Sequence, residues 1–195
     1  MQQYLGYISG GLIALSAFPY IRDVLRRKTV PARATWFIWG ILLTIAFFAQ
    51  LAEGGSWSLI TTGINWLGVV IIFLLSIKYG VGGTSKLDIF VLSGAGIGLM
   101  VWYITNNPLY ALLITIFVDF MGALPTLVKT YKEPSTETWY AYIICGLGGL
   151  IGAVSVGTFD FSLYVFPLWI GIMNTTIGLV SIIGQTIQTK TNPPV

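Results

Sequence analysis

The chain has 195 residues, of which 55% are hydrophobic and only 9% charged, whereas soluble domains carry about a quarter charged residues. Together with a mean hydropathy of +0.83, this excludes an ordinary water-soluble globule and points to a polytopic membrane protein, with the lipid bilayer as its first partner. There is no His and a single Cys, Cys145, so neither a zinc site nor an internal disulfide is expected.

Seven apolar stretches, each near the ~20 residues a bilayer requires, run along the chain. The first, 4–22, has no basic stretch before it and reads as a retained helix. It ends in "SAFPYIRDVL" with Pro19, which removes a helix hydrogen bond and makes a hinge. The loop "RDVLRRK" then serves as a topology signal. "PARATW" at 31–36 opens the second stretch, 35–53, where Trp36 and Trp39 lie one turn apart. Thr35 is placed to cap that helix. The third stretch, 57–77, carries "TGINWLG" with Asn65 and Trp66 near its centre.

"GVGGTSK" reads as a flexible connector to the fourth stretch, 87–105. The fifth, 109–129, holds Asp119 at its centre and ends "MGALPTLVKT" with Pro125. "PSTETW" at 134–139 repeats the earlier phrase and opens the sixth stretch, 138–158. Trp139 and Tyr142 there repeat the spacing of Trp36 and Trp39. The seventh, 163–185, carries Trp169 and "GIMNTTIG" with Asn174. Gly94 and Gly98, and Gly148 and Gly152, have the small-xxx-small spacing of close helix contacts.

All ten basic residues fall in the first, third and fifth loops and the tail. Basic loops stay cytoplasmic, which puts the N-terminus outside and the C-terminus inside.

Three landmarks recur in order: proline, the Pro-x-x-x-Thr-Trp phrase, then asparagine, at offsets of 106, 103 and 109. Helices 1–3 therefore match helices 5–7, and the unmatched helix 4 restores the direction of the second copy. The expected fold class is an all-α membrane protein with seven transmembrane helices in a 3+1+3 plan of parallel repeats. Repeat 1 spans 1–80, linker helix 4 spans 81–106, repeat 2 spans 107–190, and 191–195 form a polar tail.

This layout resembles the SWEET and PQ-loop (MtN3-like) transporter superfamily, of which the chain reads as a distant member. Pro19 and Pro125 match the proline near the cytoplasmic end of each repeat's first helix. Tyr20 and Thr126 stand where PQ-loop proteins place Gln. By resemblance, Asn65 and Asn174 match the asparagine pair that faces the sugar pocket of SWEETs. The resemblance implies alternating access of a midplane pocket between two halves.

The deep polar residues suit that role. An Asp at a helix centre costs roughly 2.5–3.5 kcal/mol on insertion scales, so Asp119 should face the protein interior or a wet cavity. It suits a proton carrier or an acceptor for a cationic substrate; the plainer alternative is an acid that ties helices together. Asn65 and Asn174 offer donors and acceptors to a neutral polar solute, with Trp66 and Trp169 as stacking surfaces. Trp36, Trp39, Trp139 and Tyr142 read either as an interfacial aromatic belt or as a cytoplasmic gate.

The leading expectation is a transporter of a small polar solute (sugar, amino acid or vitamin), with proton coupling through Asp119. The alternatives are a non-transporting receptor of the same plan and a PnuC-type vitamin transporter, whose Trp-x-x-Trp "WFIW" echoes. A retinal photoreceptor does not fit, because the seventh stretch lacks an interior Lys. An enzyme is not expected either, with no His, no cysteine pair and no second deep carboxylate. No cofactor, metal or nucleic acid is implied, and a homo-oligomer is compatible with the sequence. Small size without a targeting motif fits a prokaryotic plasma (inner) membrane.

Overall fold

The computed structural model describes residues 2–52, 57–105, 108–157 and 161–191. Among these the protein is all-helical, with α1 Gln2–Leu25, α2 Arg33–Ala52, α3 Trp57–Tyr79, α4 Lys86–Ile104, α5 Pro108–Lys132, α6 Trp139–Ser155 and α7 Phe161–Thr191. Four helices are long and apolar enough to cross a membrane: α1, α4, and 112–132 and 163–190 within α5 and α7. The described apolar parts of α2, α3 and α6 are shorter. The tail from residue 192 onward lies outside the described residues.

Helix contacts close a ring in the order α1, α3, α2, α5, α7, α6 and back to α1. Helix α4 stands outside it, packed on α5 and α2. In a bundle whose outer surface is apolar, close approach depends on small residues. A Cβ on Gly98 of α4 would lie 2.5 Å from Val118 of α5, and one on Gly152 of α6 would lie 2.7 Å from Ser9 Oγ of α1. The glycine pairs expected to pack helices therefore do so at α4–α5 and α1–α6. The α6–α7 contact is closer still: a Cβ on Gly149 would lie 2.4 Å from the Gly171 nitrogen.

The connections α1–α2, α3–α4 and α5–α6 and the C-terminal part of α7 gather at one end. Val30 N donates to Thr136 O at 3.0 Å, Val81 N to Pro31 O at 2.9 Å, and Ser181 Oγ to Pro134 O at 2.9 Å. All ten basic residues sit at this basic end or in the helix turns that reach it.

Two local expectations change. "GVGGTSK" is not a loose connector. Gly82 and Gly83 take positive φ of 76° and 103°, a region glycine adopts without steric cost. The Asp88 carboxylate then gathers Gly83 N, Ser85 N and Ser85 Oγ at 2.7–3.0 Å, completing a capping box at the start of α4. The guanidinium of Arg33 fixes the same loop by donating to the carbonyls of Ser76, Gly80 and Gly82.

Nor do Thr35 and Thr138 cap their helices. Thr35 Oγ1 accepts from Thr126 N at 3.2 Å and pairs with Thr126 Oγ1 at 3.0 Å. Pro125 interrupts the α5 bonding pattern here, so an amide beside the break finds its partner on another helix. Thr138 Oγ1 pairs with Thr29 Oγ1 at 2.5 Å and donates to Asp23 Oδ2 at 3.3 Å. Each threonine of the repeated phrase thus reaches across to the other side of the ring.

Candidate functional site

The ring encloses a cavity of about 300 Å³, at the lower end of the range for small-molecule sites. Its walls come from α1, α2, α3, α5, α6 and α7, with no contribution from α4. Asn65, Asp119 and Asn174, which lie far apart in sequence, all line it.

Asp119 is only 7% exposed. Its Oδ2 accepts from Trp169 Nε1 at 2.7 Å. Both ion pairs among the described residues, Arg22–Asp23 and Lys129–Glu137, lie elsewhere. Asn174 is also buried, and its Nδ2 donates to Ile170 O at 3.0 Å. That leaves its carbonyl oxygen and second N–H for other partners.

The two expected stacking tryptophans lie outside the cavity walls. Trp66 lies flat on Phe47, with centroids 5.1 Å apart and planes 8° from parallel, and its Nε1 donates to Thr44 Oγ1 at 2.8 Å. It joins α3 to α2. Trp169 holds the Asp119 carboxylate instead of offering a face.

At the basic end the cavity is closed by aromatic rings. Tyr20 packs against Trp36 with centroids 4.8 Å apart and edge-on against Tyr142 at 5.8 Å. Trp36 meets Trp39 edge-on at 5.3 Å. The symmetric four-residue gate read from the sequence therefore needs correction. Trp36, Trp39 and Tyr142 line the cavity, but Trp139 is 38% exposed and packs on Tyr140. Tyr20 supplies the remaining ring. The only sequence signal for it was its place directly after Pro19.

Glu137 is a second residue the sequence did not single out. Its side chain is fully buried behind the aromatic plug, with Lys129 Nζ at 2.5 Å. Lys129 also donates to Val30 O and Thr136 O, which ties both loops to α5. Burial pushes the Glu137 carboxyl above its ordinary range, and the Lys129 ammonium partly opposes that shift. The hydroxyls of Tyr20 and Tyr142 stand beside the carboxylate and favour its charged form.

Pro19 and Pro125 both lie inside continuous helices. Among the described residues no group of three His, Cys, Asp or Glu could hold a metal. No family model, curated protein or solved structure matches this chain.

Proposed function

We propose that the protein is a seven-span transporter of a small polar solute, working by alternating access between α1–α3 and α5–α7. In this reading α4 is a linker and the basic end faces the cytoplasm of a prokaryotic cell. The observation that carries it is the cavity, walled by the six ring helices and furnished with Asn65, Asn174 and Asp119.

The ring order supports the pairing of halves. Exchanging α1, α2, α3 with α5, α6, α7 turns the α1–α3 and α2–α3 contacts into α5–α7 and α6–α7. The same exchange turns α1–α6 into α5–α2. Such a pattern is expected when a unit is duplicated about an axis along the helices, as in parallel-repeat transporters. The resemblance to SWEET and PQ-loop proteins agrees with it. The aromatic plug would then be the inner gate, with Pro19 and Pro125 as hinges.

The test is a thermal-shift screen of sugars, amino acids and vitamins in detergent, followed by flux of any stabilising solute in proteoliposomes. Saturable uptake is expected, since a bound ligand raises apparent stability by mass action and a carrier must also release it on the far side. Tight binding with no uptake would overturn transport in favour of a receptor of the same plan.

A further inference from the structure

The contents of the cavity specify more than a polar solute. Among the described residues Asp119 is the one charged residue that lines it. The other nearby carboxylate, Glu137, stands behind the plug and is neutralised by Lys129. Net charge at the site is therefore one negative unit when Asp119 is ionised. With Asp119 ionised, an anion, a zwitterion or a sugar would leave a net negative charge in the chamber. A monocation balances it.

The plug adds a second requirement. Trp36 is 6% exposed and its indole stands beside the Tyr20 hydroxyl, while the Trp39 indole nitrogen is buried in the same plug. Both side chains line the cavity. The indole nitrogens are turned into the plug, so what these side chains present to the cavity is ring surface. Their ring faces suit an apolar or aromatic frame.

We propose that the solute is an organic monocation with an apolar or aromatic frame, bound at Asp119 and exchanged there for one proton. The inference rests on the transport reading above. On one side the solute displaces the Asp119 proton, which leaves to water. On the other side the solute departs and a proton returns to the same oxygen. One positive charge moves each way, so the cycle is electroneutral. The empty, ionised site would carry a lone charge through the closed state, which opposes crossing without a passenger.

The groups that face Asp119 do not offer a rival exchange site. Trp169 of α7 donates to it, and the Cys145 thiol of α6 lines the same cavity. Tyr20 and Tyr142 line the same cavity. The charged residues of α2, α4 and α7 are Arg33, Lys86, Asp88 and Lys190, all near the basic end.

The experiment uses the full chain in proteoliposomes with a pH dye in the lumen. The probes are choline and tyramine, each set against a neutral counterpart: the tert-butyl isostere of choline, and tyrosol. An added cation is expected to alkalinise the lumen, with no effect of clamping the membrane potential, while the neutral counterparts do nothing. In detergent the cation should raise the Tm, and its binding should weaken about tenfold per pH unit once the empty Asp119 is protonated. Asp119→Asn should reduce cation affinity roughly ten- to hundredfold. Asp119→Glu should keep the lumen signal, so the inference stays testable if the Asn variant does not fold.

The inference is overturned if neutral counterparts act as well as the cations, or if neither cation changes either readout. Uptake of a neutral sugar without any cation response would overturn it and leave the transport reading intact. A cation-specific Tm rise without a lumen signal would overturn exchange; uptake of labelled choline in the same vesicles would leave the transport reading intact, and no uptake would overturn that too.

Discussion

The two seams that join the halves of the ring occupy matching places and are built differently. Where α1 meets α6, the seam is charged: Asp23 accepts from Thr138 and from the Tyr140 hydroxyl, and Arg22 braces both Asp23 and Tyr140. Where α5 meets α2, the helices are joined by the neutral Thr35–Thr126 pair. Lys129 lies at the offset of 106 that relates it to Asp23. It turns away from α2 to Val30, Thr136 and Glu137. Equivalent positions thus carry opposite charges and bind different partners. The α1 side also supplies Tyr20 to the plug, while its counterpart Thr126 supplies only a hydroxyl. In the duplication proposed above, the geometry is kept and the chemistry divided.

The largest expected effect tests that division. Lys129→Met leaves the Glu137 carboxylate buried without its cation, a loss of about 3–5 kcal/mol at neutral pH. The folded protein already holds the Glu137 carboxyl above its ordinary range, and losing Lys129 raises it further. Folded protein then binds the proton more tightly than unfolded protein, so acid favours the fold. Thermal unfolding in detergent should show the deficit shrinking as pH falls from 8 to about 5. A deficit that grows on acidification would contradict the assignment.

Next in size is the contrast between the two tryptophans of the repeated phrase. Trp36→Ala opens the plug and should cost about 3–5 kcal/mol. Trp139→Ala removes a side chain that is 38% exposed and should cost under ~1 kcal/mol in detergent. Equal losses would restore the symmetric gate.

The smallest contrast concerns the seams themselves. Thr35→Val strands the Thr126 amide and should cost about 1–3 kcal/mol. Thr138→Val leaves Asp23 with Tyr140 and Arg22 but unpairs the buried Thr29 hydroxyl, so about 1 kcal/mol, the low end of that range, is expected. Chemical denaturation of both variants under the same conditions decides the order.

Much of this was legible in the sequence, and the part that was not has one physical cause. Helix number, the gathering of basic residues at one end and the deep positions of Asn65, Asp119 and Asn174 follow from apolar length, charge and centre-of-helix position. Which way an apolar or aromatic side chain turns does not follow. Lipid and protein interior are both apolar, so a helix facing each on opposite sides shows little periodic contrast. Trp139 and Trp66 could not be separated from Trp36 on that basis, and Tyr20 looked like one more interfacial tyrosine. Glu137 escaped notice because it sits in a loop, where a carboxylate is ordinarily hydrated. Only the fold shows that this loop is folded inward against the plug.

Lys129 and Glu137 stand eight positions apart, at the end of α5 and just before α6. The first of the two emerges from the ribosome only moments before the other. Their union needs nothing made later, so the connection between the two helices can neutralise itself before α7 is synthesised. The pair closes within one connection, with no wait for a distant mate.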